Sequence, residues 1–342
     1  MSLTVSTFAG PASQWDEFAR RQPGWTHFHL HGWKTVIERA MGHECLYLAA
    51  TASSGEIQGV LPLVRVRSLL FGHFLVTMPS VNYRGPIGSP EAIRALVSHA
   101  AERARAERVG LLELRSRHEH PIDLPVSHRK ITVVLDLPAG SPEPLWKGFD
   151  PNVRRRVRRS QKENVSVRFG LDQVAPFYQV FAQHMRDLGT PAHHRSLFET
   201  VAEIFPDDAW FGCAWLGSQP IAAIGGFRWE REFEVTWASA LVEHKQIAAN
   251  MHIYWAFMER AIENGLGLFN FGRCSPGAGT HRFKLQWGSR DEQLWWYQQA
   301  RVGVAGTPSP DEGAYSWGPR LWQRLPLSVA TAMGPHLVKY IP

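Results

Sequence analysis

The stretch "ECLYLAATASSGEIQGVLPLVRV", residues 44–66, returns in altered form as "WFGCAWLGSQPIAAIGGFRW", residues 210–229. Each copy consists of two apolar runs that are joined by a tight turn, which predicts a β-hairpin. The turn glycines are Gly55 and Gly217, and they lie 217 − 55 = 162 residues apart. Similarity at a fixed spacing of this length predicts a duplicated structural unit.

The duplication continues beyond the hairpins. Each copy adds a third strand, an amphipathic helix and a fourth strand, and each is preceded by helical segments. The fourth strands begin at Gly110 and Gly267, which are 267 − 110 = 157 residues apart. We therefore predict two similar α/β (α+β) domains, each a mixed, mostly antiparallel sheet flanked by helices. The expected boundaries are 1–140 for the N-terminal domain, 141–166 for a linker with a basic helix, 167–300 for the C-terminal domain and 301–342 for an extension.

Composition limits the class of protein. The 342 residues are 44% hydrophobic and 20% charged, with 14 Trp, which is typical of a well-packed globular chain. The three cysteines are far apart, so the sequence predicts neither a disulfide framework nor a zinc site. The first residues lack the features of a signal peptide, and no apolar run is long enough to span a membrane. We expect a cytoplasmic protein, and the net charge of +6 allows an anionic partner.

A basic helix is predicted within the linker. Asp150 is a good N-cap and Pro151 suits the first helical position. Apolar residues then recur on one face, and cations cover the rest of the helix: Arg154, Arg155, Arg158, Arg159 and Lys162. This pattern has two interpretations, a solvated cationic face or an anion-binding helix beside a cleft.

A polar, turn-rich stretch follows the fourth strand of the second copy: "NFGRCSPGAGTHRFKLQWG", residues 270–288. We interpret "GLFNFGR" as a strand, "CSPGAGT" as a turn and "HRFKLQW" as the returning strand. Alternation would place Lys284 with Arg282 and Gln286 on one face. A cationic row is costly inside a covered sheet unless it meets water or a ligand, so Lys284 is expected to line a cleft. The alternative is a lysine whose stem packs while its ammonium reaches solvent.

The order of elements in each half resembles the GNAT acyltransferase fold, and two such units in tandem resemble the FemAB family. The resemblance runs from Trp15 to Tyr297 and is most specific in four motifs: "NYRGP" at 82–86, "VRRRVRRSQK" at 153–162, "MRDLGTP" at 185–191 and the 270–288 stretch. The chain looks most like the FemAB-related proteins of exosortase (PEP-CTERM) and exopolysaccharide systems of Gram-negative bacteria. Better-known members of the family transfer an amino acid from aminoacyl-tRNA to a peptidoglycan precursor.

The resemblance implies direct transfer of an acyl or aminoacyl group to an amine of an envelope precursor, in the cytoplasm or at the inner face of the membrane. Lys284 matches the lysine of the family's F-K-x-x-x-G segment, which stabilises charge on the reacting carbonyl. Arg273 and Arg282 are candidate substrate-binding residues beside it. Arg273 suits bidentate binding of a carboxylate or phosphate, although a salt bridge that ties down the turn explains it equally well. Asp187 is a candidate general base, although "LGTP" also fits an ordinary helix end.

The expected acyl donor is aminoacyl-tRNA or an acyl thioester, with no permanently bound cofactor and no metal. Acyl-CoA is less favoured, because the loop "EHKQIAANMH" lacks the glycine that usually lets backbone approach a diphosphate. Gln246 and Asn250 of this loop cap the helix or contact a ligand. Arg154, Arg158 and Arg159 are the candidate residues for a tRNA or anionic lipid.

The acceptor is expected in the first domain, as a small envelope precursor or a lipid-linked substrate. Asn82, Tyr83 and Arg84 supply an amide, an aromatic face and a cation, although a simple β-turn explains the same residues. The extension after residue 300 opens as a linker and ends in apolar pieces, which either pack on the protein or contact a membrane surface. A non-catalytic tRNA- or membrane-binding module is the alternative function, and DNA is not an expected partner.

Overall fold

The computed structural model describes residues 3–68, 71–79, 81–301 and 317–340. The chain forms two compact units. Of the described residues, the first contains 3–130, 293–301 and 339–340. The second contains Ile131–Glu292 and the C-terminal helices up to Val338. Each unit holds one mixed sheet flanked by helices, as the sequence predicts.

The first unit is a sheet covered by a long helix. Its helices are α1 (Ala12–Arg21), α2 (Gly32–Met41) and α3 (Pro90–Ala106). Its strands are β1 (Leu3–Thr7), β2 (Glu44–Ala52), β3 (Ile57–Ser68), β4 (Gly72–Val76), β5 (Ile87–Gly88), β6 (Leu111–Ser116), β7 (Val126–Ser127) and β15 (Trp295–Ala300). The strand order is β1-β2-β3-β4-β6-β15-β7, with β5 paired to β3. The β4–β6 pair is parallel, and α3 buries Leu96 and Ala100 against the sheet.

The second unit repeats this plan and adds helices. Its strands are β8 (Ile131–Asp136), β9 (Val165–Phe169), β10 (Ala209–Leu216), β11 (Gln219–Trp229), β12 (Glu232–Ala240), β13 (Leu268–Cys274) and β14 (Arg290–Gln293). Its helices are α4 (Glu143–Gly148), α5 (Pro151–Lys162), α6 (Val174–Leu188), α7 (Arg195–Ile204), α8 (Ala249–Glu263), α9 (Gly279–Leu285), α10 (Trp317–Trp322) and α11 (Leu327–Val338). The strand order is β14-β8-β13-β12-β11-β10-β9, and the β12–β13 pair is parallel.

The two strand orders show that the duplication is more extensive than the predicted repeat. Read from the first strand of each copy, they are β1-β2-β3-β4-β6-β15-β7 and β9-β10-β11-β12-β13-β8-β14. β8, which follows the first copy in the chain, pairs with β13 in the second sheet. β15, which follows the second copy, pairs with β6 in the first sheet. Each sheet is therefore completed by a strand that follows the other copy.

This exchange places the border between the first and second compact units at Lys130 and Ile131. Residues 131–136 hydrogen-bond to β13, so they count with the second unit although they precede the linker. The basic helix α5 packs Val153 and Val157 into the core of the second unit beside α8. Asp150 caps this helix as predicted, because its Oδ1 accepts from the backbone N–H of Asn152.

The C-terminal helices α10 and α11 pack on α6. The side-chain amide of Gln323 donates to the carbonyl of Asp187 at the end of α6, and Arg186 Nη1 donates to the carbonyl of Leu325. The linker expected just after residue 301 lies outside the described residues. None of the helices in the described ranges is both long and apolar enough to cross a membrane.

We predict that Gly226→Ala destabilises the second unit. A Cβ at this position of β11 would lie 2.1 Å from the carbonyl oxygen of Glu234 on β12, where backbone cannot move aside cheaply. Overpacking of this kind costs about 1–3 kcal/mol in the free energy of unfolding. Gly148→Ala is the matched control, because nothing lies within 4 Å of its Cβ position. Thermal and denaturant unfolding followed by circular dichroism measures both, and equal stability of the two variants would contradict the prediction.

Candidate functional site

The second sheet opens between its two central parallel strands. β12 and β13 pair only over Glu232–Glu234 and Leu268–Asn270. Just beyond this ladder each strand has a β-bulge. In β12 the extra residue relative to β11 is Thr236, and in β13 there is one extra residue relative to β8 within Phe271–Gly272. A β-bulge bends its strand and raises the local twist. Two bulges at the same level therefore separate the strands and leave their facing backbone groups unpaired with each other.

Lys284 lies on a helix beside this opening, so the predicted returning strand is wrong. Residues Gly279–Leu285 form α9, and the next strand, β14, begins at Arg290. The error has a physical cause. Phe283 and Trp287 are four residues apart, and this spacing places two side chains on one face of either a strand or a helix. Both rings pack against Tyr254 of α8.

The Lys284 ammonium is buried and turned towards β13. Its Nζ donates to the carbonyls of Gly272 at 2.5 Å and Arg273 at 3.0 Å, and the residue is only 6% exposed. Gly272 has a φ of +72°, a left-handed conformation that favours glycine and that turns the strand at the bulge. The helix face that carries Lys284 also carries His281, which is held by Asp291. The snorkelling alternative from the sequence is thus incorrect for this lysine.

Burial also changes the acidity of this group. Desolvation lowers the pKa of Lys284 to about 8, while the nearby Cys274 and Glu234 act in the opposite direction. At pH 7 the ammonium form therefore predominates. An ammonium has three N–H donors, and the described residues accept from two of them. No acceptor for the third is found among the described residues.

A buried polar network occupies the last rung before the strands separate. Asn270 is fully buried and its Oδ1 accepts from Thr132 Oγ1 at 2.6 Å and from the backbone N–H of Gly272 at 2.8 Å. Its Nδ2 donates to Glu232 Oε1 at 2.8 Å, with Glu234 Oε2 at 3.4 Å. Thr132 comes from the exchanged strand β8. The network holds the bulge that presents the carbonyls of Gly272 and Arg273 to Lys284.

The chain that leaves β12 leads to the start of α8 at Ala249. Ala248 has a φ of +60°, so this alanine adopts the left-handed conformation that a glycine would usually supply. The absence of a glycine therefore does not exclude a loop suited to a diphosphate. Among the described residues, no acceptor is found for the first two helical amides, those of Ala249 and Asn250. Gln246 is exposed and Asn250 half-buried at this helix N-terminus, where anions are favoured.

The basic helix α5 presents an almost unneutralised surface. Its cations line a depression of about 760 Å³: Arg154, Arg155, Arg156, Arg158, Arg159 and Lys162. None of them forms an ion pair with a carboxylate in the described part of the chain, and all but Arg154 are exposed. Arg156 Nη1 donates to Gln286 Oε1 at 2.9 Å, which joins this surface to the segment just after Lys284. Arg156 is absent from the sequence-based candidates.

The other candidates of the second unit are placed less centrally. Arg273 belongs to β13 and supplies its carbonyl to Lys284. Arg282 is exposed, and its Nη1 donates to the carbonyl of Gly277 at 2.8 Å, which ties down the turn before α9. Asp187 lies in the last turn of α6 and is paired with Arg186 at 2.7 Å. Its role as a general base stays a prediction.

In the first unit, the "NYRGP" segment borders a pocket of about 270 Å³. Tyr83 lines it, but Arg84 does not. Arg84 is fully buried, donates to the hydroxyl of Tyr47 and lies 4.7 Å from the centre of that ring. Asn82 is also buried and is not part of the lining. The expected cation of an acceptor site is therefore not supplied by Arg84.

The pocket instead uses residues that the sequence interpretation missed. They come mainly from "SRHEH" at 116–120, just after β6, and from the turn at 26–29. Burial lowers the pKa of His29 to about 3 and of His120 to about 4, so both rings are neutral at pH 7. Arg117 contributes the cation and lies 5.7 Å from the Tyr83 ring. Polar side chains directly after a buried strand were the available signal.

The equivalent level of the first sheet holds a buried ion pair. β4 and β6 pair in parallel up to Val76 and Glu113. Arg115 then pairs with Glu113 at 2.6 Å, with 2% and 0% of the side chains exposed. Its guanidinium lies 4.5 Å from the Trp296 ring of β15. The cation at this level of the first sheet is fully committed to the protein, whereas Lys284 retains a donor.

We predict a pH signature for the buried lysine. Because its folded pKa of about 8 lies below the usual value of 10.5, the unfolded chain binds more protons between these pH values, and stability rises as pH rises. Relative to Lys284→Met, the wild type should gain on the order of 1–3 kcal/mol between pH 7 and pH 10. Denaturant unfolding at several pH values measures this difference.

Lys147→Met is the control, because the Lys147 side chain is 70% exposed and its removal should leave the pH dependence unchanged. A difference between wild type and Lys284→Met that does not vary with pH would show that Lys284 titrates as a solvated lysine.

Comparison with known proteins agrees with this fold. Residues 149–285 match the family model described as "Acetyltransferase (GNAT) domain". No curated protein sequence matches the chain. Among solved structures, FemX is similar with a TM-score of 0.66 and 15% identity, over 87% of this chain and 97% of that one.

Two further structures share the fold. A tandem GNAT protein from the clavulanic acid biosynthesis pathway has a TM-score of 0.57 and 12% identity, over 90% of this chain and 100% of that one. The C-terminal domain of a putative lysylphosphatidylglycerol synthetase from Agrobacterium fabrum also has a TM-score of 0.57 and 12% identity, over 86% of this chain and 93% of that one. The chain therefore has a tandem GNAT-like fold, and its residues 149–285 are similar to the acetyltransferase (GNAT) domain family.

Proposed function

We propose that this chain is an acyltransferase that moves an acyl or aminoacyl group from an activated carrier directly to an amine. The observation that carries the proposal is the Lys284 ammonium, which is buried at the opening of β12 and β13 with one N–H left over. The likeness to an acetyltransferase (GNAT) domain and to FemX supports this reaction class. The resemblance to FemAB proteins supports an envelope precursor as the source of the amine.

The proposed reaction has two steps. The amine nitrogen attacks the carbonyl carbon of the donor, and the carbonyl electrons move to oxygen, where Lys284 donates its third N–H. The oxyanion then collapses and expels the carrier's oxygen or sulfur, which takes the proton that the amine releases. A preorganised cation in a site shielded from water stabilises the oxyanion more than solvent does. No covalent enzyme intermediate is needed, and Cys274 remains buried in the core.

We propose aminoacyl-tRNA as the carrier. The α5 surface supports this choice, because unneutralised cations at exposed positions fit a row of phosphates. Its contact through Arg156 and Gln286 lies two residues from Lys284, so a bound carrier has a short path to the reacting carbonyl. An acyl thioester is the competing donor, and the start of α8 is compatible with its diphosphate.

The test is a donor panel with the purified full-length chain. Aminoacyl-tRNAs and acyl thioesters are each offered with amine acceptors, including peptidoglycan precursors and amino sugars, and products are detected by mass spectrometry. Transfer of an acyl group to nitrogen from either donor class supports the reaction, and transfer from aminoacyl-tRNA alone supports the proposed carrier. Absence of any N-acylated product across the panel would count against an acyltransferase.

Lys284→Met should lower turnover strongly while leaving the fold intact. The loss of one oxyanion contact typically costs about 10²–10³ in kcat, and KM should change much less because the contact forms chiefly in the transition state. Lys147→Met is the control and should retain full activity. Near-normal turnover of Lys284→Met, or a loss that only follows a lowered Tm, would make Lys284 a structural residue.

A second candidate function, binding without catalysis, is favoured by α5 alone. Both candidates predict that tRNA binding weakens steeply with salt. A plot of log K against log [salt] should have a negative slope, with a magnitude of about 0.9 for each duplex phosphate contacted. Replacing Arg155, Arg158 and Arg159 by Gln should reduce this slope by about 2–3. Fluorescence anisotropy with labelled tRNA measures it. An unchanged slope would remove α5 from the binding surface, whereas binding with no transfer would favour the second candidate.

A further inference from the structure

The two C-terminal helices carry apolar side chains on both of their sides. On α11 the small residues Ala330 and Gly334 face inward, and Gly334 approaches so closely that a Cβ there would lie 2.9 Å from the carbonyl of Ala192. Val329 directly precedes Ala330, and Met333 directly precedes Gly334. These two side chains point outward and are 37% and 49% exposed. Four residues apart, they share one helix face. α11 contains no Asp, Glu, Lys or Arg.

The neighbouring residues extend this surface. Leu321 of α10 is 54% exposed, and so is Leu188 at the end of α6. α10 lies against that end of α6, since a Cβ on Gly189 would come within 2.6–2.8 Å of Pro319. We call Leu188, Leu321, Val329 and Met333 the C-terminal surface. They make up half of the eight large hydrophobic residues that are exposed in the described ranges.

The C-terminal surface carries two exposed arginines. Arg320 and Arg324 are exposed on and just after α10, and the described segment 317–338 contains no acidic residue. Asp187, which precedes Leu188 at the end of α6, is paired with Arg186. Exposed apolar side chains flanked by arginines are the composition of an element that lies in a membrane interface.

We propose that the C-terminal surface docks on a bilayer that contains anionic lipids. Its apolar side chains would enter the boundary between headgroups and acyl chains, while Arg320 and Arg324 contact lipid phosphates. A second copy of the chain fits less well, because a two-fold contact through this surface would bring its arginines close to their own copies. The α5 surface is different in kind: it has more cations but no exposed large hydrophobic residue.

The docking proposal does not depend on the acyltransferase proposal. Lipid binding is measured without any donor or acceptor, so each proposal can fail alone. Each arginine near an anionic surface contributes about a fivefold factor in affinity, which salt reduces. The apolar contacts should persist at high salt.

The test is cosedimentation of the full-length chain with vesicles. We expect binding to anionic vesicles of about 30% phosphatidylglycerol in phosphatidylcholine. Binding to phosphatidylcholine alone should be much weaker. Val329→Glu with Met333→Glu should reduce binding roughly tenfold or more, and Arg320→Gln with Arg324→Gln by about tenfold or more. Circular dichroism and Tm confirm that both double variants remain folded.

Two controls separate this surface from others. Val242→Glu places the same charge on a residue that is 59% exposed elsewhere in the second unit, and it should bind as the wild type does. Replacement of Arg155 and Arg159 by Gln should leave vesicle binding largely intact. Loss of binding with the α5 variant but not with the C-terminal variants would overturn the proposal.

Two other results would also overturn it. One is failure of the wild type to bind anionic vesicles. The other is a concentration-dependent dimer in analytical ultracentrifugation that Met333→Glu abolishes, because this result would assign the C-terminal surface to a second copy.

Discussion

The pairing of β8 with β13 is the constraint on which the second unit depends. β8 precedes the linker in sequence, yet it forms the outer neighbour of the strand that borders the opening. Its register with β13 shifts between Asn270 and Arg273, and this shift exposes the two carbonyls that hold Lys284. It also supplies Thr132 to the buried network around Asn270. A strand that follows the first copy thereby shapes the candidate site of the second.

The two copies show how one fold can be used in two ways. At the level where the parallel strands end, the first sheet has the buried Arg115–Glu113 pair. The second sheet has Asn270 and Gly272 at the corresponding positions, two bulges and a lysine from the following helix. A buried cation needs compensation in both cases. In the first copy the carboxylate of Glu113 compensates the charge of Arg115. In the second, two backbone carbonyls compensate the charge of Lys284, and they accept only two of its three N–H groups.

The sequence predicts the duplicated fold, because hairpins, amphipathic helices and turn glycines are local signals. The catalytic role of Lys284 stays a prediction. The sequence does not predict the strand exchange, since the alternation of β8 is the same whichever sheet it joins. It also misassigns α9, because Phe283 and Trp287 suit both helix and strand periods. The sequence disfavours a diphosphate-binding loop because the segment before α8 has no glycine. Ala248 nevertheless adopts the left-handed backbone conformation that a glycine would usually supply. The pocket beside Tyr83 was missed because its histidines come from separate segments.

The central claim is that the free N–H of Lys284 meets the carbonyl oxygen of the acyl donor. A crystal structure of the chain with an unreactive analogue of whichever donor supports transfer tests this claim most directly. The account predicts the analogue's carbonyl oxygen at about 2.7–3.1 Å from Lys284 Nζ, in the opening between β12 and β13, with the bonds to Gly272 and Arg273 retained. An analogue bound with its carbonyl away from Lys284, or held only by the first unit, would contradict it.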